Sequence, residues 1–268
     1  MDATELERLA EILEASGRYR ILRRLEPRSA YHSPDGTGLH RGIFLDTETT
    51  GLDPARDEII ELGMAPFDFS SDGRIFAVGE SFSRFRDPGR PVPAAVTALT
   101  GISDEMVAGR SIEPAEVTAF LGDAVLVVAH NAAFDRRFAE RFCDSFVRVA
   151  WACSLTEIQW AAEGFSEGTR LSHLAAACGF FHDGHRAVHD CHAGLEILSR
   201  ALPRSGRRAL DVLLESARAP RWRIRAIGAP FELREILKSH GYRWDPGEDG
   251  RDQGLVHRCP GRGARGRT

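Results

Sequence analysis

Two acids, one residue apart, at the end of an apolar run are the first feature with chemical content. The stretch Gly42-Ile-Phe-Leu-Asp-Thr-Glu-Thr-Thr-Gly-Leu-Asp53 reads as a buried strand, Ile43 to Leu45, running directly into Asp46 and Glu48. Strand side chains alternate between faces, so the two carboxylates share one face. Side by side they repel unless a cation lies between them, and hard oxygen ligands suit Mg²⁺ or Mn²⁺. Taken alone, the pair also fits two solvated edge charges. A second apolar run, Val125-Leu-Val-Val-Ala-His-Asn-Ala-Ala-Phe-Asp135, ends in His-Asn and opens a helix, with Asn131 as a natural N-cap and Asp135 in the first turn. A third stretch, His185-Arg-Ala-Val-His-Asp190, follows Gly184 and begins another helix. His182, His185, His189 and His192 cluster there, but no cysteine completes a known zinc-finger spacing.

In this order, D-x-E, H-N-x-x-F-D and H-x4-D resemble the DEDDh (DnaQ-like) 3′→5′ exonuclease family, a branch of the ribonuclease H-like fold. The resemblance covers about residues 42–202, and Leu99-Thr-Gly-Ile-Ser-Asp-Glu-Met-Val107 also resembles a segment of that family. It implies an enzyme holding two Mg²⁺ ions, for which Mn²⁺ substitutes. Asp46 would bridge the two ions, Glu48 and Asp190 would complete the first site, and Asp135 would hold the second. His185 would be the general base, with His130 excluded from that role. Thr49 and Leu52 would line the pocket for the 3′-terminal nucleotide, and Asn131 would help position its backbone. The activity implied is release of nucleoside monophosphates from single-stranded 3′ ends, DNA favoured. The alternatives are a 3′→5′ exoribonuclease trimming RNA ends and a non-catalytic nucleic-acid-binding module.

These residues need a scaffold. Ile59 to Phe69 and Ile75 to Phe85 read as further strands, joined by the hairpin turn Ser71-Asp-Gly-Arg74. Helices are expected over Glu113 to Leu121, from Asn131, over Ser154 to Ala162, over Arg170 to Cys178 and over Ala187 to Arg200. A three-strand meander followed by βα units predicts an α/β fold with a mixed sheet flanked by helices. Before it, residues 2–16 pattern as an amphipathic helix with Asp2 and Glu5 as a capping box and Leu6, Leu9, Ala10 and Leu13 as its stripe. Tyr19 to Leu25 reads as a strand. The expected division is a helix/strand extension and linker over 1–41, an exonuclease domain over 42–202, a small basic α+β module over 203–258 and a disordered tail over 259–268.

Composition bounds the partners. The 268 residues are 43% hydrophobic, with no apolar run long enough to span a membrane and no cleavable secretory signal in view. Five scattered cysteines without C-x-x-C spacing fit reduced thiols, so a cytoplasmic location is expected. The net charge of −4 is unevenly placed: residues 201–268 carry +7 and residues 1–200 carry −11. A basic module beside an acidic one suits an enzyme acting on a polyanion, here single-stranded nucleic acid 3′ ends. In the module, Trp222-Arg-Ile-Arg-Ala226 alternates apolar and basic, which predicts a strand with a buried apolar face and an accessory nucleic-acid face of Arg221, Arg223 and Arg225. Gln159 and Gln253 are the only glutamines, and neither lies in a sliding-clamp motif. Oligomeric state has no signature in the sequence.

Overall fold

A computed structural model describes residues 2–219, 221–245 and 254–260, and divides the chain into two units, Met1–Ala217 and Arg218–Thr268. The first unit opens with helix α1, Ala3–Ala15, whose Glu5 amide is capped by the Asp2 carboxylate at 2.8 Å. Its stripe does not pack into a core: Leu6, Leu9 and Leu13 stay exposed. The extension is tied down afterwards instead. Strand β1, Arg23–Arg24, pairs in parallel with Phe180–Phe181, so only two residues of the expected Tyr19–Leu25 strand form. The linker is not free chain either. Ser29, Tyr31 and His32 hydrogen-bond to Val78, Phe76 and Ile75.

Strand β2, Leu39–Thr49, and strand β3, Ile59–Ser70, form the long antiparallel pair at the centre of the main sheet. The expected domain start at residue 42 therefore falls inside β2. The expected third strand is two, β4 (Ile75–Val78) and β5 (Phe82–Phe85), both antiparallel to β3. The break falls opposite Pro66, which has no N–H to offer the ladder; Gly79 closes against its carbonyl at 2.9 Å instead. Short helices α2 (Ala94–Thr100) and α3 (Asp104–Val107) lead to α4, Pro114–Leu121, with proline in its first turn. Then come β6 (Leu126–Ala129), α5 (Ala132–Phe142) and β7 (Ala150–Cys153), and β2, β6 and β7 run parallel.

The helix expected over Ser154–Ala162 is absent. The Trp160 indole is buried and donates to the Ser154 carbonyl at 2.7 Å, so this segment wraps as turns around its own side chain. Helix α6 (Leu171–Ala177), strand β8 (Phe180–Phe181), helix α7 (Ala187–Leu198) and helix α8 (Ala209–Arg218) complete the unit. The sheet order is β4-β3-β2-β6-β7, with β5 also on β3. Alternation along β2 sorts the core. Phe44 packs on one face with Phe67, Leu174, Leu195 and Leu213. Ile43 and Leu45 pack on the other with Leu62, Val117, Leu121 and Phe138. Helices thus cover both faces of a mixed sheet, as the strand pattern predicts. Because Leu210, Leu213 and Leu214 belong to this core, α8 stands with the first unit and not with the basic module expected from residue 203.

The second unit is a three-stranded antiparallel sheet in the order β10-β11-β9, formed by β9 (Arg221–Arg225), β10 (Arg243–Asp245) and β11 (Gly254–Pro260), with helix α9 over Arg234–Ser239. Cys259 and Pro260 end β11, so the expected tail does not begin at 259; residues 261–268 lie outside the described residues. Arg225 is half-buried and opposite the buried Val256, while Ile224 on the other face is exposed. At that position the basic side is the inner one, the reverse of the expected pattern. The side chains of Arg221 and Arg223 lie outside the described residues. Among the described residues no helix is long and apolar enough to cross a membrane.

Candidate active site

The C-terminal end of β2 sets the site. Asp46 and Glu48 lie opposite Gly63 and Glu61 of β3, one pleat apart, with Thr47 buried between them. Helix α7 brings Asp190 to the same place. One ligand oxygen from each of Asp46, Glu48 and Asp190 lies within 4.8 Å of the others. Asp135 is not in this trio. It is buried in the first turn of α5, and its Oδ1 accepts from the Thr47 N–H at 3.1 Å and the Thr47 hydroxyl at 2.9 Å. Thr47 thus turns away from Asp46 and Glu48 to fix the fourth acid from beneath, a role that the D-x-E pattern does not announce.

The electrostatics are those of crowded, buried carboxyl groups. Burial, then the charges of Asp135, Asp190, Glu48 and Glu61, holds the Asp46 carboxyl well above the usual carboxylate range. Burial, then Asp190, Glu61 and Asp135, pushes Glu48 up to about 8, against the pull of Arg186. Burial pushes Asp135 up to about 7 despite the Thr47 hydrogen bonds. Asp46 and Glu48 so placed hold their protons to higher pH than free carboxyls unless a cation joins them. The donor set is oxygen only, which fits a hard divalent ion.

The third motif is held from several sides. Asp190 Oδ1 lies 2.6 Å from His182 Nε2, and Oδ2 accepts the His185 backbone N–H at 3.0 Å. His185 itself is exposed and adopts φ +62°, a left-handed conformation that costs a non-glycine residue energy. His130 is a half-buried histidine just past the end of β6, fixed between the Ser154 hydroxyl at 2.9 Å and the Thr169 carbonyl at 2.8 Å; desolvation lowers its pKa. Asn131 occupies the N-cap position of α5 but makes no side-chain cap bond; with φ 139° its side chain is exposed.

The turn after Glu48 presents Leu52, 84% exposed at its tip. Asp57 braces this turn: it accepts from Thr50 Oγ1 at 3.1 Å, the Asp53 N–H at 2.9 Å and Arg90 at 2.8 Å. A Cβ at Gly51 would stand 2.4 Å from Asp57 Oδ2, so a larger residue there would displace the bracing carboxylate. Thr49 differs from its expected role: it is buried, and its hydroxyl donates to the Gly51 carbonyl at 2.6 Å. The sequence pattern assigns no role to Thr47, Asp57 or Glu61, and marks His182 only as one of a cluster of four histidines. The available signal for Glu61 was a charge inside the apolar run Ile59-Ile-Glu-Leu62, which a strand buries only with partners.

Comparison with known proteins identifies the family. The family model described as "Exonuclease", of RNase T type, matches residues 43–198. A PolC-type DNA polymerase III from Clostridium perfringens is 33% identical over 163 residues, 58% of this chain and 11% of that protein. A DNA polymerase III subunit epsilon-like protein from Rhodobacter capsulatus is 40% identical over 102 residues, 37% of this chain and 14% of that protein. The chain spans only 6 to 14% of the length of the curated relatives it matches. Among solved structures, the zinc-bound form of E. coli exonuclease I with single-stranded DNA superposes with a TM-score of 0.50 at 19% identity, covering 64% of this chain and 42% of that one. With the family model covering more than half of its length, the chain belongs to the RNase T (DnaQ-like) exonuclease family, on a ribonuclease H-like fold.

Proposed function

We propose that this exonuclease is metal-dependent, works in the 3′→5′ direction and releases nucleoside monophosphates from single-stranded 3′ ends, with DNA as its preferred polymer. The observation that carries this reading is the convergence of Asp46, Glu48 and Asp190 within 4.8 Å, with burial and then the neighbouring acids raising the pKa values of Asp46 and Glu48. Asp46, Glu48 and Asp190 would hold one Mg²⁺ or Mn²⁺, and Asp46 with Asp135 a second. When bound, such ions supply charge stabilisation at the phosphoryl and leaving oxygens and a lower pKa for the attacking water. His185, exposed on its loop, takes the proton from that water. Thr47 and His182 hold Asp135 and Asp190 at their places.

Leu52 supplies a contact for a strand end. A large apolar side chain fixed at a loop tip beside the acids offers a face against which a terminal base packs. DNA is favoured because the relatives at 33% identity and above are DNA polymerase III proteins. The basic second unit, residues 218–268 with a net charge of +6, supplies affinity for the polyanion and not chemistry. The test is a degradation assay on matched labelled single-stranded DNA, single-stranded RNA, blunt duplexes and 3′-overhang duplexes, with Mg²⁺ or Mn²⁺. Mononucleotide release fastest from single-stranded DNA supports the reading. Faster release from RNA would make the enzyme a 3′ exoribonuclease.

A further inference from the structure

Helix α7 carries Asp190 but has no cap of its own. Its N-cap residue is Arg186, which makes no side-chain cap bond, and helix N-termini leave amide groups that need acceptors. The His189 and Asp190 amides return to the Arg186 carbonyl at 2.8 and 3.1 Å. The Ala187 amide, the first of the helix, donates instead to Glu61 Oε2 on β3, at 3.2 Å and 126 positions away in the chain. The same carboxylate takes Arg186 Nε at 3.3 Å and Nη2 at 3.2 Å. Glu61 is 0% exposed, and its bonds among the described residues all go to Arg186 and Ala187. Two pleats of β3 are shaped for this contact. A Cβ on Gly63 would stand 2.5 Å from the Ala187 carbonyl carbon, so only glycine lets the helix start sit this close.

What Glu61 grips is the joint between two functional groups. His185, in its left-handed conformation, immediately precedes Arg186, and the His185 N–H donates to Asp190 Oδ2. Resting on the proposed function above, we infer that Glu61 is a positioning residue. It caps α7 from the neighbouring strand and thereby fixes where His185 and Asp190 stand relative to Asp46 and Glu48. A neutral buried side chain could fill the same volume. A carboxylate adds an acceptor for the orphan amide and a negative charge at the positive end of the helix dipole.

The test uses the full chain with three substitutions. Glu61→Leu removes the acceptor. Glu61→Asp keeps the charge but withdraws the acceptor by about one carbon–carbon bond, about 1.5 Å. Glu61→Gln keeps an acceptor oxygen in place. A misplacement on the order of 1 Å costs up to about 10²-fold in rate. The leucine variant should therefore lose about that in kcat with KM for the oligonucleotide unchanged, the aspartate variant should lose less, and glutamine should recover most of the loss. Amide hydrogen exchange is read alongside: the Ala187 amide should lose protection in the leucine and aspartate variants while Leu195, deeper in α7, keeps it. Wild-type kcat in the aspartate variant with Ala187 unprotected overturns the inference. So does a glutamine variant as impaired as leucine, which would assign the effect to charge and not to the cap. If the wild-type chain shows no nuclease activity, the functional reading falls, while the Ala187 exchange still decides whether Glu61 caps the helix.

Discussion

Loading the acidic cluster with a divalent cation should expel protons, and the number follows from the carboxyl groups. In the metal-free protein Glu48 titrates at about 8, Asp135 at about 7 and Asp46 well above the ordinary carboxylate range. At pH 7 a group with a pKa near 8 is about nine-tenths protonated and one near 7 is about half protonated, whereas a free carboxyl is ionised. The groups interact, so the protons belong to the cluster and not to single residues. Filling it at pH 7 should release about two protons per molecule. Isothermal calorimetry with Mn²⁺ in two buffers of different ionisation enthalpy counts them directly. The logarithm of the association constant should rise with a slope of about 2 per pH unit between pH 6 and 8, then flatten.

Stability follows the same linkage. A carboxyl whose pKa is raised on folding makes the folded state bind more protons than the unfolded one, so its contribution is present below the unfolded pKa and is lost as pH rises through the folded value. For Glu48 that window runs from about 4.5 to about 8, and the metal-free Tm should fall across it. Saturating Mg²⁺ should remove the decline. Metal affinity independent of pH from 6 to 8, with no buffer-dependent heat, would refute the reasoning, because the acids would then be ionised and apart.

Three further outcomes are expected. His185→Ala should lower kcat by about 10²–10⁴-fold and flatten the acid limb of the pH–rate profile while metal binding survives, because general-base catalysis has that range and the ring is not a ligand; His189→Ala should cost little, and the reverse pattern in a rate comparison would reassign the third motif. A chain truncated after Ala217 should keep turnover on short oligonucleotides but bind long ones more weakly, with a shallower salt dependence, through loss of the +6 unit, whereas cutting at Leu202 should destabilise the fold by removing Leu210, Leu213 and Leu214 from the core. Gly194→Ala should lower the urea midpoint by the equivalent of about 1–3 kcal/mol, since the new Cβ would stand 2.1 Å from the Phe44 ring and the core would be overpacked.

The sheet was legible because β2, β3 and β6 are long or apolar enough for period-two alternation to show, and because charges at 46 and 48 interrupt an apolar run near the end of β2. Order and spacing of the first and third motifs then named Asp46, Glu48 and Asp190, whose oxygens the fold brings within 4.8 Å of one another. Less legible were features decided by distant partners. Pro66 splits the strand paired with it into β4 and β5, a consequence visible only once the two segments are known to be neighbours. Trp160 turns an apparent helix into loops by burying its indole. Asn131 has the residue type of a cap yet keeps its side chain free of the cap bond, and the capping acid for α7 lies 126 positions upstream. Local propensity sees none of these, since each depends on which surface arrives opposite.

The central claim is that Asp46, Glu48, Asp135 and Asp190 form one metal-dependent site at a 3′ end. The most direct measurement follows 5′-labelled and 3′-labelled single-stranded DNA with Mg²⁺, for the wild-type chain and for Asp46→Ala, Glu48→Ala, Asp135→Ala and Asp190→Ala. The 3′ label should leave at once as a mononucleotide while the 5′-labelled strand shortens stepwise. Chelation should stop both, and each substitution should cost about 10²-fold or more in rate with the metal-free Tm unchanged or raised by relief of charge repulsion. Near-normal turnover in any of the four variants at saturating metal, or release beginning at the 5′ end, would contradict it.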